Sequence, residues 1–483
     1  MTTTTVRALL FGALLLSLDG GSTEAAISET NGFGARGSSL GGAITASVGD
    51  PSAIYYNPAG LGSIDQAILW LDMASYSGVG DSGNLDTGER FDFSLDAFII
   101  RPTPILAGPL PWEGFSWGFG ILGTAGLAAR FPESNGENRF SSYSAKILDT
   151  VLAPAIAWRV NDRLSLGVTL EVSAFGKFAN HARFGDGYFG DALSARSGQA
   201  ISTRDGEDDA FFRLTTDEDI PSGLRPNNDL WMNFRSVSYV FGLQYQLLEK
   251  LRFGAVYREK SEPEYEGKAD IFLEDSVEAA TGLPDLSADF ELEALARPRM
   301  AVGGLALGPF AGWTLHGDVQ WSQWSEAEKL KARFGGDGLL GQKTLVVPLE
   351  FHDTWSARVG VEYEFESGKR LWAGYWMDKD PAPDRTHFAA LLPGDIHYAS
   401  LGALFPDQFG PGFDFALYGQ LGVSDSRVLA TGESVNAGGI KNLKLDDQGR
   451  LAFGPNDQPI FYRNPKLYVV GLTFQYRWDD ASR

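Results

Sequence analysis

Asp353-Thr-Trp-Ser-Ala-Arg-Val-Gly-Val-Glu-Tyr-Glu-Phe365 decides the reading of this chain. Trp355, Ala357, Val359, Val361, Tyr363 and Phe365 fall on one face, and Thr354, Ser356, Arg358, Gly360, Glu362 and Glu364 on the other. A strand sends successive side chains to opposite sides, so this is one long two-faced strand. Leu164–Ala174, Val237–Leu247 and Tyr468–Trp478 repeat the pattern, as do Trp313–Trp321 and Phe91–Ile99. A soluble sandwich buries its apolar faces between two sheets and uses strands of about 5–6 residues. A membrane barrel turns the apolar face to lipid and needs strands of about 9–11 residues. The lengths here predict a transmembrane antiparallel β-barrel. Trp158, Trp321, Trp355, Trp376 and Trp478, near strand ends, suit an interfacial aromatic belt.

Composition narrows the rest. The 483 residues include 58 Gly, 32 Phe, 16 Tyr and 12 Trp, too apolar for disorder. No Cys is present, which excludes disulfides, cysteine metal sites and a thiol nucleophile. A net charge of −22 argues against nucleic acid as a partner. Residues 1–25 read as a secretory signal peptide: Arg7, the apolar run Ala8–Leu18, then small residues to Ala25-Ala26. The run is too short to span a bilayer, and no later stretch is apolar enough for a spanning helix.

Beyond residue 65 the alternation predicts 14 strands, an even count being the rule for bacterial barrels. Among them are 91–101, 114–126 and 250–272; splitting 250–272 at Pro263 would give 15. Tight turns are expected at Asn161-Asp162, Leu248-Glu249, Gly308–Phe310 and Glu366–Gly368. Long loops fall at 176–233, 273–295, 324–351, 379–394 and 424–465. Short turns on one side and long loops on the other place the chain in the outer membrane, as an integral barrel over 66–483. Residues 26–65 are not strand-like and precede the first strand, so they are expected to fold into the lumen as a plug. In that segment Asn57-Pro58 predicts a turn whose Asn side chain satisfies nearby backbone N–H groups.

Gly37–Ala46, Asp50–Leu61 with its Asn57-Pro58-Ala59 core, Pro298-Arg299, Asp318 with Trp321 and Trp324, His352–Trp355 through Tyr363, and Gly374-Tyr375 with Asp380–Asp384 lie in order along the chain. In them the sequence resembles the FadL-type outer-membrane transporters of long-chain fatty acids and aromatic hydrocarbons. The resemblance implies a 14-stranded barrel closed by an N-terminal hatch. It implies too that substrate enters from the outer loops and leaves sideways through a gap at a kinked third strand. Gly118, Gly120 and Gly123 on that strand are the candidate gate positions, since Gly within a strand marks a bend or bulge. Asn57, Pro58 and Ala59 are the candidate hatch motif.

The function expected is passive uptake of hydrophobic small molecules, fatty acids or similar lipids and hydrocarbons, with no enzyme chemistry and no cofactor. Outer-membrane lipid and a hydrophobic ligand are the expected partners, and the barrel is expected to be monomeric. Arg36 and Arg358 are candidate partners for a ligand carboxylate; the competing reading places both in lumenal ion pairs. A porin for polar solutes and a non-transporting surface or adhesion barrel are the alternatives. The acidic stretch Asp205–Asp209 with Asp217–Asp219 reads as a solvated loop, with Ca²⁺ binding as the alternative and no metal site assigned. The five His residues suggest no catalytic partner, His316 facing inward with Thr314 and Asp318. Five residues follow Trp478, although such barrels often end on an aromatic.

Overall fold

The computed structural model describes residues 32–94, 97–131, 144–183, 210–216, 236–273, 275, 286–293, 297–335, 343–389, 391 and 394–478. The signal-peptide region, the acidic stretches 205–209 and 217–219 and the last five residues lie outside these. The barrel strands are β1 (Ile68–Asn84), β2 (Ala97–Pro109), β3 (Phe115–Arg130), β4 (Ser144–Arg159), β5 (Leu164–Arg183), β6 (Ser236–Leu248) and β7 (Leu251–Arg258). They continue with β8 (Arg299–Phe310), β9 (Trp313–Gln323), β10 (Thr354–Glu364), β11 (Arg370–Asp378), β12 (Ile396–Phe405), β13 (Phe413–Ser424) and β14 (Ile460–Arg477). Each pairs antiparallel with the next. β14 returns to β1 with Arg477 opposite Ile68, so the 14-strand barrel is closed. Pairing β14 with β1 removes the open edge that each would otherwise present to lipid, where an unpaired backbone group has no water to bond.

The two faces divide as alternation demands. On β9, Thr314, His316, Asp318, Gln320 and Ser322 are buried inside, while Leu315 is 55% and Val319 51% exposed on the outer wall. Val359, Leu401 and Val470 likewise face outward. Outside the barrel, Phe115 stacks on Trp158 with ring centroids 5.8 Å apart. Trp376 departs from the expected belt: it faces inward and stacks on Tyr398 at 4.3 Å. Its strand parity, set by exposed Leu371 and Tyr375, outweighs its place near a strand end.

Two strand expectations and one turn are corrected. Residues 91–101 are not one strand: Arg90–Ser94 is a hairpin extension of β1, and the second barrel strand is 97–109. Pro102, Pro104 and Pro109 hid it, because proline argues against a central strand. Residues 250–272 split near Pro263; Glu264–Leu273 leaves the barrel to pair with 210–216 and 286–293 in a rim of loop strands, so the barrel count stays at 14. The turn expected at Gly308–Phe310 lies at Ala311-Gly312, where φ is +50° and +87°, the left-handed pair of a tight hairpin turn.

Residues 32–64 lie inside the barrel and are almost wholly buried. They form α1 (Ala35–Ser39), α2 (Ala53–Tyr56) and a 3₁₀ turn over Pro58–Ser63. α1 packs against β11, β12, β13 and β14, and the 3₁₀ turn against β3, β4, β5 and β6. Phe33, Leu40, Ile44, Ile54 and Leu61 join Trp70, Ile105, Leu122, Val151 and Trp372 of the wall in one apolar core.

Candidate functional site

The lumenal segment has too little helix to satisfy its own backbone, and a buried N–H or C=O must find a partner. The inward polar side chains supply them. Thr473 Oγ1 accepts from Ala35 N at 2.7 Å, and Asp318 Oδ2 from Thr45 N at 3.0 Å. Gln420 donates to the Ser38 carbonyl (3.0 Å), Ser400 to that of Ser39 (2.8 Å), Thr169 to that of Ile54 (2.8 Å) and Gln244 to that of Val48 (3.0 Å). His316 Nδ1 lies 3.1 Å from Ser47 Oγ. The polar inner face thus binds protein over much of its area.

The hatch motif is a buried knot. Asn57 Nδ2 donates to the Thr45 carbonyl (2.8 Å) and to the Leu243 carbonyl of β6 (2.9 Å), and its Oδ1 accepts from Ala59 N (3.1 Å). Pro58 opens the 3₁₀ turn, where its missing N–H costs nothing. Ala59 is fully buried. Asn57 thereby joins two stretches of the segment and the wall with one amide.

Glycines make room for this seat. A Cβ at Gly167 or Gly242 would run into Pro58 or Asn57, one at Gly254 into the Thr45 carbonyl, and one at Gly374 into Leu40 and Gly41. At Gly360 it would lie 2.8 Å from the Leu40 carbonyl oxygen. Gly167 opposes Gly242, Gly254 opposes Gly304, and Gly360 opposes Gly374 across the ladders. The sequence shows these glycines on polar faces but not what they receive. Gly118 and Gly120 belong to the same seat, taking Ile54 and Leu61.

The ladder between β2 and β3 is short. Only Ile105–Pro109 pair with Ser116–Gly120, whereas β3 pairs with β4 from Phe115 to Arg130. Past Gly120, among the described residues, β3 has no ladder partner on the β2 side until Arg130 lies opposite Ser94. Pro102 and Pro104 of β2 have no N–H to donate, which suits a strand with one partner there. Gly123 borders this window, and the β3–β4 register shifts between Gly123 and Ala125, which leaves Thr124 as an extra residue. Such a bulge bends its strand.

Two cavities flank the segment. One of about 60 Å³ lies toward the long loops, among Tyr55, Tyr56, Met300, Trp324 and Trp376 with Gln320, Ser322, Arg358, Asp378 and Lys379. The other, about 560 Å³, lies at the short-turn end among Arg36, Asp50, Arg252, Glu362, Glu364 and Arg370. The two candidate carboxylate partners therefore separate. Arg36 Nε bonds Glu362 Oε2 at 2.8 Å, and Glu362 also accepts from Trp372 Nε1 at 2.7 Å, so Arg36 sits in a lumenal ion pair. Arg358 lines the upper cavity beside Gly42. Among the described residues no cluster of His, Asp and Glu is placed to hold a metal ion.

Known structures of the same architecture exist. A Pseudomonas aeruginosa FadL homologue superposes with a TM-score of 0.70 at 19% identity, covering 95% of this chain and 100% of that one. The Pseudomonas putida toluene transporter TodX gives 0.66 at 14% identity, and the Ralstonia pickettii toluene transporter TbuX 0.62 at 15%, each covering 93% of this chain and 99% of the other. No curated protein matches by sequence. At these identities the structures speak for the fold alone. The family model described as outer membrane protein transport protein (OMPP1/FadL/TodX) matches residues 20–417, most of the chain, and its members are transport channels of the outer membrane. The chain belongs to the OMPP1/FadL/TodX family of outer membrane transport proteins.

Proposed function

We propose that this barrel carries hydrophobic carboxylates, long-chain fatty acids above all, from the outer face to the membrane by passive diffusion. The ligand enters from the long-loop end and rests against the cavity over the lumenal segment, which acts as a hatch. It leaves sideways through the β2–β3 window into outer-membrane lipid. Burial of a CH₂ group is worth about 0.8 kcal/mol, so apolar contact alone holds a long chain without ATP or covalent chemistry. The observation that carries the reading is the five-pair β2–β3 ladder beside an occupied lumen. A carboxylate is favoured over a bare hydrocarbon because Arg358, Gln320 and Ser322 bring hydrogen-bond donors to the upper cavity.

Deleting Thr124 removes the extra residue and lets β3 run straight. Laurate uptake by cells carrying that variant should fall to the level of cells without the protein, with the barrel still assembled; normal uptake would end the lateral-exit reading. Arg358→Gln should slow laurate uptake and leave dodecane uptake unchanged. Equal effects on both would remove the carboxylate from the proposal. In planar bilayers the native chain should carry negligible steady current, and a large steady conductance would favour a channel for polar solutes.

A further inference from the structure

We infer that two buried arginines, Arg101 and Arg258, couple the lumenal segment to the two lips of the β2–β3 window, so that the window's width follows the position of Phe33 and Tyr55. The inference builds on the transport reading for its purpose, but the coupling is measurable without transport.

The first lip is β2. Arg101 faces inward where pairing with β3 has already ended, and a Cβ on Gly123 would lie 3.1 Å from its Cδ, so its stem fills the base of the window. Its guanidinium lies 4.3 Å from the Phe33 ring centroid and 5.1 Å from that of Tyr76, and its Nη2 donates to the Gly32 carbonyl at 2.9 Å. Asp72 stands 4.0 Å away, held by Tyr418 (3.1 Å) and Thr473 (2.8 Å).

The second lip is the bulge of β3. Thr124 donates to Asp149 Oδ2 at 3.3 Å, and Asp149 also accepts from Ser173. Asp149 lies 3.9 Å from Arg297, Arg297 lies 3.1 Å from Glu171, and Glu171 lies 3.2 Å from Arg258. Arg258 Nη2 then donates to the Tyr55 carbonyl at 2.7 Å, with the guanidinium over the Tyr55 ring at 4.5 Å. Phe33 and Tyr55 meet edge to face at 4.5 Å, so the two lines of contact close on each other inside the segment.

Buried ion pairs are weak stabilisers, because desolvation offsets their attraction, but they are discrete and depend on orientation. If Phe33 and Tyr55 shift, both arginines lose a carbonyl and an aromatic face together and must find new partners. That makes an element with two arrangements rather than a graded spring. Tyr55 and Tyr56 also line the upper cavity, so a ligand seated there presses on the joint that both lines share.

The chain contains no cysteine, so single reporters are unambiguous. Thr103→Cys places one on β2 beside the window, to be labelled with a maleimide on detergent-solubilised protein. Asn57→Ala loosens the segment from the wall. In the reporter chain it should raise the labelling rate roughly five- to tenfold, the usual size of a coupling between sites. In a Glu171→Gln/Arg258→Met background, which leaves Asp149 and Arg297 balanced, that rise should vanish. Arg258→Lys keeps the charge but lacks the planar fork that serves Glu171 and Tyr55 together, and it should behave the same way. Arg101→Met should raise labelling on its own and make it insensitive to Asn57→Ala. A rise of equal size in every background, or no effect of Arg101→Met, overturns the coupling. Heat-modifiable migration in detergent gels confirms that each barrel is folded. Should the unmodified protein take up no laurate, the transport reading falls while the labelling result still decides this one.

Discussion

The sector from β9 to β13 and the sector from β1 to β4 share one alternating chemistry but differ in regularity. The ladders from β9 through β13 run without a register shift, and they carry Gly360, Gly374 and Gly402, on which the lumenal segment rests. The β1–β2 ladder shifts between Ala74 and Tyr76, β2 holds three prolines, β3 is bulged, and the β2–β3 pairing stops after five residues. A closed barrel can concentrate its irregularity in one sector when the others hold the ring together. The regular sector seats α1, the 3₁₀ turn rests on β3 to β6, and the irregular sector carries the window.

The largest expected effect tests whether the regular sector faces hydrocarbon. Val359→Arg, outward on β10, should cost about 2–4 kcal/mol in urea-driven unfolding from lipid vesicles. A change within error would mean that face is not in lipid. Gly374→Val next sharpens the role of the seat. The added side chain meets backbone that cannot yield, so about 3 kcal/mol of overpacking is expected. The barrel should assemble with the segment displaced, and steady current should appear in planar bilayers.

Asn57→Ala removes one amide from both attachments and takes the Oδ1 acceptor from the buried Ala59 N–H, at roughly 2 kcal/mol. Trypsin should then cut at Arg36 in the folded variant and spare the native chain; equal resistance would show that the knot is not what fixes the segment. The smallest effect is a pH dependence in the long loops. Burial pushes the Asp380 carboxyl up from its ordinary 3.8 to about 6, against the opposing pull of Arg427 at 2.7 Å. A raised acid favours the folded loop when protonated. That contribution is full below about pH 4 and is lost as pH rises through 6. Protease cleavage near Arg427 should therefore be slower at pH 5 than at pH 7, and Asp380→Asn should remove the difference.

Where prediction and structure part, the cause is a residue type with two readings. Proline argues against a strand, yet Pro102 and Pro104 sit in one that lacks part of its second neighbour. Trp376 near a strand end resembles a belt residue, but the parity of β11 sends it inward onto Tyr398. Gly118 and Gly120 look like flexible points, and their missing side chains instead admit Ile54 and Leu61. The Asn57-Pro58 turn was legible because it is local chemistry. The arginines were not, because an ion pair needs a partner from distant sequence, as Arg36 finds in Glu362.

By itself the sequence determined the two-faced strands, their number, the short-turn and long-loop ends and the small-residue segment ahead of them, since each follows from periodicity or turn chemistry within a dozen residues. Tertiary structure alone decided where a ladder would stop, that Arg36 would meet Glu362 while Arg358 borders a cavity, and which glycines would receive the segment. Those depend on contacts such as Ala35 with Thr473, made only when β14 closes onto β1 and the lumen acquires a shape.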